Sequence, residues 1–171
     1  MRLAGIAALL MATAMSGGQP ARPRLARAAL TPLERGFDAL LTKPGQPYPF
    51  DMLGNTRAVY LNGYGVVFTA ELNLIIAPRI TPFRQFIAKE DVEKVRSQKL
   101  ANLEVLRKAM REHLASVADS LAVLPPNEQI VVSVTLFYYS WEQKDGLPSQ
   151  ILMQASKSAL ISGAGPSVEE L

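Results

Sequence analysis

A reaction centre in this chain would have to be built from very few residue types. Cysteine is absent, which removes thiolate catalysis, disulfides and thiolate-held metals together. Histidine occurs once, at His113, beside Met110 and Leu114 in a run with helical apolar spacing. A lone imidazole can serve as a general base, but no partner acid falls beside it in the pattern. His113 therefore reads as a boundary residue on a helix. Zinc, iron and copper sites draw mainly on His and Cys, and no Asp-x-Asp-x-Asp run marks a calcium loop. The sequence predicts neither a metal nor a cofactor. Nucleophile signatures fail as well: there is no Gly-x-Ser-x-Gly elbow and no Ser-x-x-Lys. Gly63-Tyr64-Gly65 lacks the lysine and the following helix of a phosphate loop.

Two chemistries remain. Glu71 and Glu142 are the acids that a carboxylate-dependent hydrolase or isomerase would use. The other chemistry is recognition. Phe137, Tyr139 and Trp141 alternate along an expected strand and share one face. Tyr60, Thr69, Glu71 and Asn73 join them if the strands at 56–74 and 129–141 belong to one sheet. Rings with a few polar groups make a platform for a sugar or a peptide. The same rings can instead pack beneath a short helix as core, and that reading is the favoured one. Tyr60, Glu71, Tyr139 and Trp141 are the candidate binding residues; no residue is assigned a catalytic or metal-binding role.

The elements that position these residues follow from pattern. Thr31-Pro32-Leu33-Glu34 reads as a capping box opening a short helix over about 32–42, stopped by Lys43-Pro44-Gly45. Pro44, Pro47 and Pro49 make 44–55 a linker, pinned by Tyr48, Phe50 and Met52. Arg57–Leu61, Asn62-Gly63 and Tyr64–Leu74 read as a β-hairpin with a two-residue turn. That turn sets Leu61 opposite Tyr64 and Val59 opposite Val66, with Val59, Leu61, Tyr64, Val66, Phe68, Ala70, Leu72 and Leu74 on the core face. A long helix follows from about Lys89 to Val123, with an apolar stripe from Val92 to Leu124 and Glu90–Lys94 and Glu104–Lys108 pairs on its wet face. Gln129–Trp141 alternates as a strand, and Gln150 to about Ser156 returns. The expected architecture is α+β, in the order αββαββ: an antiparallel sheet of about four strands, made of two hairpins, on one long helix. One domain spans 31–162, with a flexible segment at 22–30 and a frayed end at 163–171.

The first thirty residues contain no acid. Met1-Arg2 leads into an apolar run from Leu3 to Met15, then Ser16-Gly17-Gly18-Gln19-Pro20. Thirteen residues are too few to span a bilayer, which takes about 20, and they suit the core of a secretory leader. The expectation is a signal peptide over 1–21, cut between 14 and 21 after a small-x-small pattern such as Ala12-Thr13-Ala14, with no transmembrane anchor. Arg22, Arg24 and Arg27 oppose translocation, and an organellar transit peptide is the alternative. The whole chain of 171 residues has a formal charge of +3. From Ala28 onward fourteen basic residues face fifteen acidic ones, a charge of −1. That balance excludes a basic nucleic-acid footprint.

Leu53-Gly54-Asn55-Thr56-Arg57, Tyr60–Phe68, Leu136–Glu142 and Gly146–Gln150 together resemble a group of uncharacterised exported bacterial proteins, over roughly residues 50–155. The resemblance implies export and a single domain, and it carries no site residue. The function expected is a periplasmic or secreted domain, non-enzymatic, that binds an envelope protein, a peptide or a glycan. The alternatives are the carboxylate enzyme and an oligomer assembled through helix 89–124.

Overall fold

The stretch between Asn73 and Gln129 decides the topology, because it carries the chain from the Asn73 end of a sheet back to the Gly65 end. The computed structural model describes residues 25–44, 46–83 and 85–171; the leader expected over 1–21 lies outside the described residues. The elements are α1 (Arg27–Leu41), β1 (Asp51–Met52), β2 (Arg57–Leu61), β3 (Gly65–Asn73), α2 (Lys89–Ser120), β4 (Gln129–Leu136), β5 (Gln150–Ser156), α3 (Lys157–Ile161) and β6 (Ser167–Glu170). The class is α+β with a long helix, as the pattern implies.

The sheet is larger than four strands, and it is mixed rather than antiparallel. Six strands form one sheet in the order β1-β3-β4-β5-β6, with β2 beside β1 along the same edge of β3. β3 and β4 run parallel, with Thr69 beside Ser133 and Leu72 beside Leu136. The physical reason is α2. A strand, a helix and a second strand in one sheet form a crossover, which returns the chain in the same direction. The hairpins legible in the sequence are separated by that crossover, and the antiparallel pairs lie outside it.

The hairpin register also differs from the expected one. Leu61 opposes Gly65 and Val59 opposes Val67, so the loop has three residues rather than two. A type I′ turn needs positive φ at both central residues. Gly63 has φ 80°, but among the described residues no residue other than glycine has positive φ, Asn62 included. Because side chains alternate, the one-residue slip turns β2 over. Ala58 and Tyr60 pack against the core, while Val59 and Leu61 face water.

Two further expectations change at the ends. The α1 helix begins at Arg27, inside the segment expected to be flexible, and Pro32 lies within it. Thr31 is not its cap. Ala28, Ala29 and Leu30 are strong helix formers that extend it, and Glu34 has other partners, described below. The final residues are not frayed: β6 pairs with β5, Val168 opposite Met153. Arg107 on α2 holds that strand with two bonds to the Glu170 carboxylate, 2.7 and 2.8 Å. The same arginine, rather than Lys108, pairs with Glu104.

All three helices contribute to one face of the sheet. Val66, Phe68, Ala70 and Leu72 of β3, Ile130, Val132, Val134 and Leu136 of β4, and Ile151 and Met153 of β5 form the core with Leu30, Phe37 and Leu41 of α1 and with α2 from Leu103 to Ala118. The far end of α2 is closed by Lys157, whose buried ammonium donates to the carbonyls of Leu121 (2.7 Å), Ala122 (3.1 Å) and Leu124 (2.9 Å). A cation there satisfies orphan carbonyls and complements the helix dipole.

Gly65 lets the parallel pair close. Its φ is 143°, and a Cβ there would stand 1.9 Å from the Gln129 carbonyl oxygen. Gln129 N–H donates to the Tyr64 carbonyl at 2.7 Å, so β4 starts pressed against this point. Gly65→Ala is expected to cost about 3 kcal/mol or more. Gly54→Ala, where nothing lies within 4 Å, should stay within about 0.5 kcal/mol. Urea unfolding of the two variants checks this; equal midpoints would contradict the close approach.

Candidate functional site

The face of the sheet opposite the helices is the candidate site. Its residues follow from alternation: Arg57, Val59 and Leu61 on β2, Val67, Thr69 and Glu71 on β3, Val131, Ser133 and Thr135 on β4, Gln150, Leu152 and Gln154 on β5. No described helix packs there. Val59 is 50 % exposed, Leu61 46 % and Tyr64, from the turn, 44 %. The Tyr64 hydroxyl reaches to 3.5 Å from Gln154 Oε1, so its ring spans β4, and Val131 beneath is buried. This end of the face is apolar. The other end is polar, with a cleft of about 270 Å³ lined by Asn55, Arg57, Thr69, Glu71 and Thr135. An apolar patch beside a polar cleft suits a protein or peptide surface carrying both characters.

The edge at β2 is shielded by α1. Glu34 accepts from the Ala58 amide at 2.6 Å and from both terminal nitrogens of Arg27 at 2.6 and 2.7 Å. Asp38, one turn on, accepts from the Thr56 amide at 2.9 Å and its hydroxyl at 2.6 Å. The amides of Thr56 and Ala58 are thereby satisfied, which blocks strand addition at those residues. A groove of about 460 Å³ lies alongside, lined by Arg27, Leu30, Ala58, Val59 and Tyr60.

The four candidate binding residues are not brought together. Glu71 stands on the open face. Tyr60 is turned to the helix side, where its hydroxyl donates to Glu128 Oε1 at 3.2 Å. Tyr139 and Trp141 are on no strand, because β4 ends at Leu136. Their rings stack 6.1 Å apart and pack, half-buried, on Ile75, Ala77 and Val95. The rings therefore form neither an open platform on the sheet nor a layer beneath α1. Phe137 meets Tyr139 edge-on and is partly exposed.

Glu142 is the reason the chain leaves the sheet. Its carboxylate is buried in an ion pair with Lys99 of α2, whose side chain is fully buried. It also accepts from the Tyr139 amide at 3.2 Å. The Lys99 ammonium lies 4.4 Å from the centre of the Tyr138 ring, and the Tyr138 hydroxyl donates to the Pro148 carbonyl at 2.7 Å. Burial pulls the Lys99 pKa below its usual value, with the Glu142 bond and charge opposing. Burial also raises the Tyr138 phenol, and the Glu142 charge adds to it. This cluster ties the 137–148 loop to α2. Glu142, on the helix side, and Glu71, on the open face, cannot act on one substrate together. Sequence reasoning missed Lys99 although a signal was present: it sits four residues after Val95 and four before Leu103, on the buried stripe.

His113 is buried rather than at a boundary. Its ring stacks on Phe37 at 4.5 Å and meets Phe68 edge-on at 4.6 Å. Nε2 is buried without a hydrogen-bond partner. Among the described residues, no three His, Asp or Glu side chains gather as a metal site, and no helix there is long and apolar enough to cross a membrane. No protein-family model, curated protein or solved structure matches the chain.

Burial pushes the His113 pKa down to about 4, with the Asp38 charge opposing. The unfolded chain takes up the proton near 6.5. Stability from this site is thus complete above about pH 6.5 and is lost as pH falls towards 4, because the unfolded state binds more protons in that window. The loss between pH 7 and pH 5 should be about 2 kcal/mol. Urea unfolding at both pH values checks it: His113→Leu should remove that part of the pH dependence, and an unchanged slope would contradict a buried neutral imidazole.

Proposed function

We propose that this chain is an exported, non-enzymatic interaction domain, periplasmic or secreted, which binds a partner protein of the cell envelope through the uncovered face of its sheet. The observation that carries this reading is the one-sided packing. The helices bury one face, and the other presents Val59, Leu61 and Tyr64 to water beside the Arg57–Thr69–Glu71 cleft. Apolar side chains clustered on a surface and rimmed by polar groups are typical of interaction sites. Export is supported by the acid-free leader and by the resemblance of residues 50–155 to exported bacterial proteins.

The competing readings draw less support. The two acids of a carboxylate enzyme stand on opposite sides of the sheet. An oligomer built on residues 89–124 would need the apolar stripe of α2, and that stripe is occupied by the sheet and α1.

A photo-reactive amino acid at Tyr64, in the chain expressed in its own host, should yield a discrete adduct with a second protein. Val59→Asp with Leu61→Asp should abolish the adduct while shifting stability by no more than about 0.5 kcal/mol, since both side chains face water. An adduct of equal yield in the double variant would overturn the assignment of this face.

A further inference from the structure

Between β3 and α2 the described residues from Leu74 to Ala88 belong to no helix or strand. Pro78 and Pro82 account for this, since neither can donate to a ladder and both interrupt a helix. The inner side of the segment is anchored. Ile75 and Ala77 are buried against Val95, with Tyr48, Tyr139 and Trp141 packed on them. The outer side is not: Ile76 and Ile80 are exposed, Phe86 is 79 % exposed and Phe83 is completely so. Burying a phenylalanine is worth about 2 kcal/mol, so two rings left in water mark a docking surface.

The chemistry around them identifies the occupant. Among the described residues none covers Phe83, and Phe86 is almost as open, so the rings project into water rather than pack against the domain. No acid occurs between Glu71 and Glu90, while Arg79 and Lys89 are exposed on either side of the rings. Arg79 reaches Asp51 at 3.5 Å and stays mostly in water. Behind Lys89, Glu90 and Asp91 open α2, so the positive charge is local to the projection. At its base stand Tyr48, Tyr139 and Trp141, ring types that favour the boundary between water and lipid. Apolar tip, basic flanks and aromatic base together are the composition of a segment that dips into the headgroup layer.

We propose that Ile76, Ile80, Phe83 and Phe86 insert into the interface of an anionic phospholipid bilayer, with Arg79 and Lys89 at the headgroups. The insertion holds the domain against a membrane surface and leaves the open sheet face free. It is independent of that face.

Trp141 is the only tryptophan and lies at the base of the projection, so it reports on this end of the molecule. The full chain would be titrated with vesicles of phosphatidylethanolamine and phosphatidylglycerol carrying bromine-labelled acyl chains. Trp141 fluorescence should be quenched on binding, and phosphatidylcholine vesicles should bind about fivefold more weakly. Phe83→Ser with Phe86→Ser should weaken binding about tenfold or more while leaving the unfolding midpoint unchanged. Four outcomes would overturn the proposal: no binding; vesicle binding with Trp141 unquenched, which places the contact elsewhere in the chain, the leader included; binding intact in the double variant; or a wild-type dimer in sedimentation that the double variant dissociates, which makes the occupant a second copy.

Discussion

The parallel contact between β3 and β4 is the constraint on which the rest depends. Two parallel neighbours cannot be joined by a tight turn, so the chain must travel the length of the sheet and return. The 32-residue α2 makes that return. Its apolar stripe covers one face of both strands, and α1 packs beside it. Nothing described is left to cover the other face. The open surface is thus a consequence of topology: a single crossover supplies helix to one side only. Gly65 is the local condition, since only a residue without Cβ lets the start of β4 close on the end of the hairpin loop.

Buried charge secures the places where regular structure ends. Lys157 holds the carbonyls of the turn that follows α2, and Glu34 with Asp38 holds the outer amides at the β2 edge. Lys99 and Glu142 draw residues 137–148 out of the sheet and onto the helix. Such pairs gain little over an apolar core of the same shape, because desolvation offsets attraction. Their effect here is positional. The Lys99–Glu142 pair ends β4 at Leu136 and sets Tyr139 and Trp141 on the base of the 74–88 segment, where the proposed lipid contact needs them. Two surfaces result, an open sheet and a projecting loop, on one frame.

What the sequence disclosed follows from how local each signal is. The α2 helix, the alternation of β3 from Val66 to Leu74 and the return strand at Gln150 were legible because hydrophobic period alone specifies them. The faces of β2 were not. They depend on whether Asn62 adopts positive φ, and it does not, so Val59 and Leu61 left the core and Tyr60 entered it. The parallel pairing was illegible because it is a relation between strands more than fifty residues apart, for which no local pattern exists. Of the candidate site, Glu71 lies on the open face because it alternates with the buried Ala70 and Leu72 along β3. Tyr139 and Trp141 were misplaced because alternation continues past Leu136 in the sequence, while a buried lysine forty residues away ends the strand in space.

Binding through the sheet requires that its face be open in the isolated chain. Hydroxyl-radical footprinting of the monomer tests this directly, because it reads side-chain exposure residue by residue. Val59, Leu61 and Tyr64 should be oxidised at rates characteristic of surface residues, and Phe68 and Leu72, which alternate with that face and are buried, should remain protected. Protection of Val59, Leu61 and Tyr64 to the level of Phe68 in the monomer would show that another part of the chain covers the face, and would contradict a binding surface there.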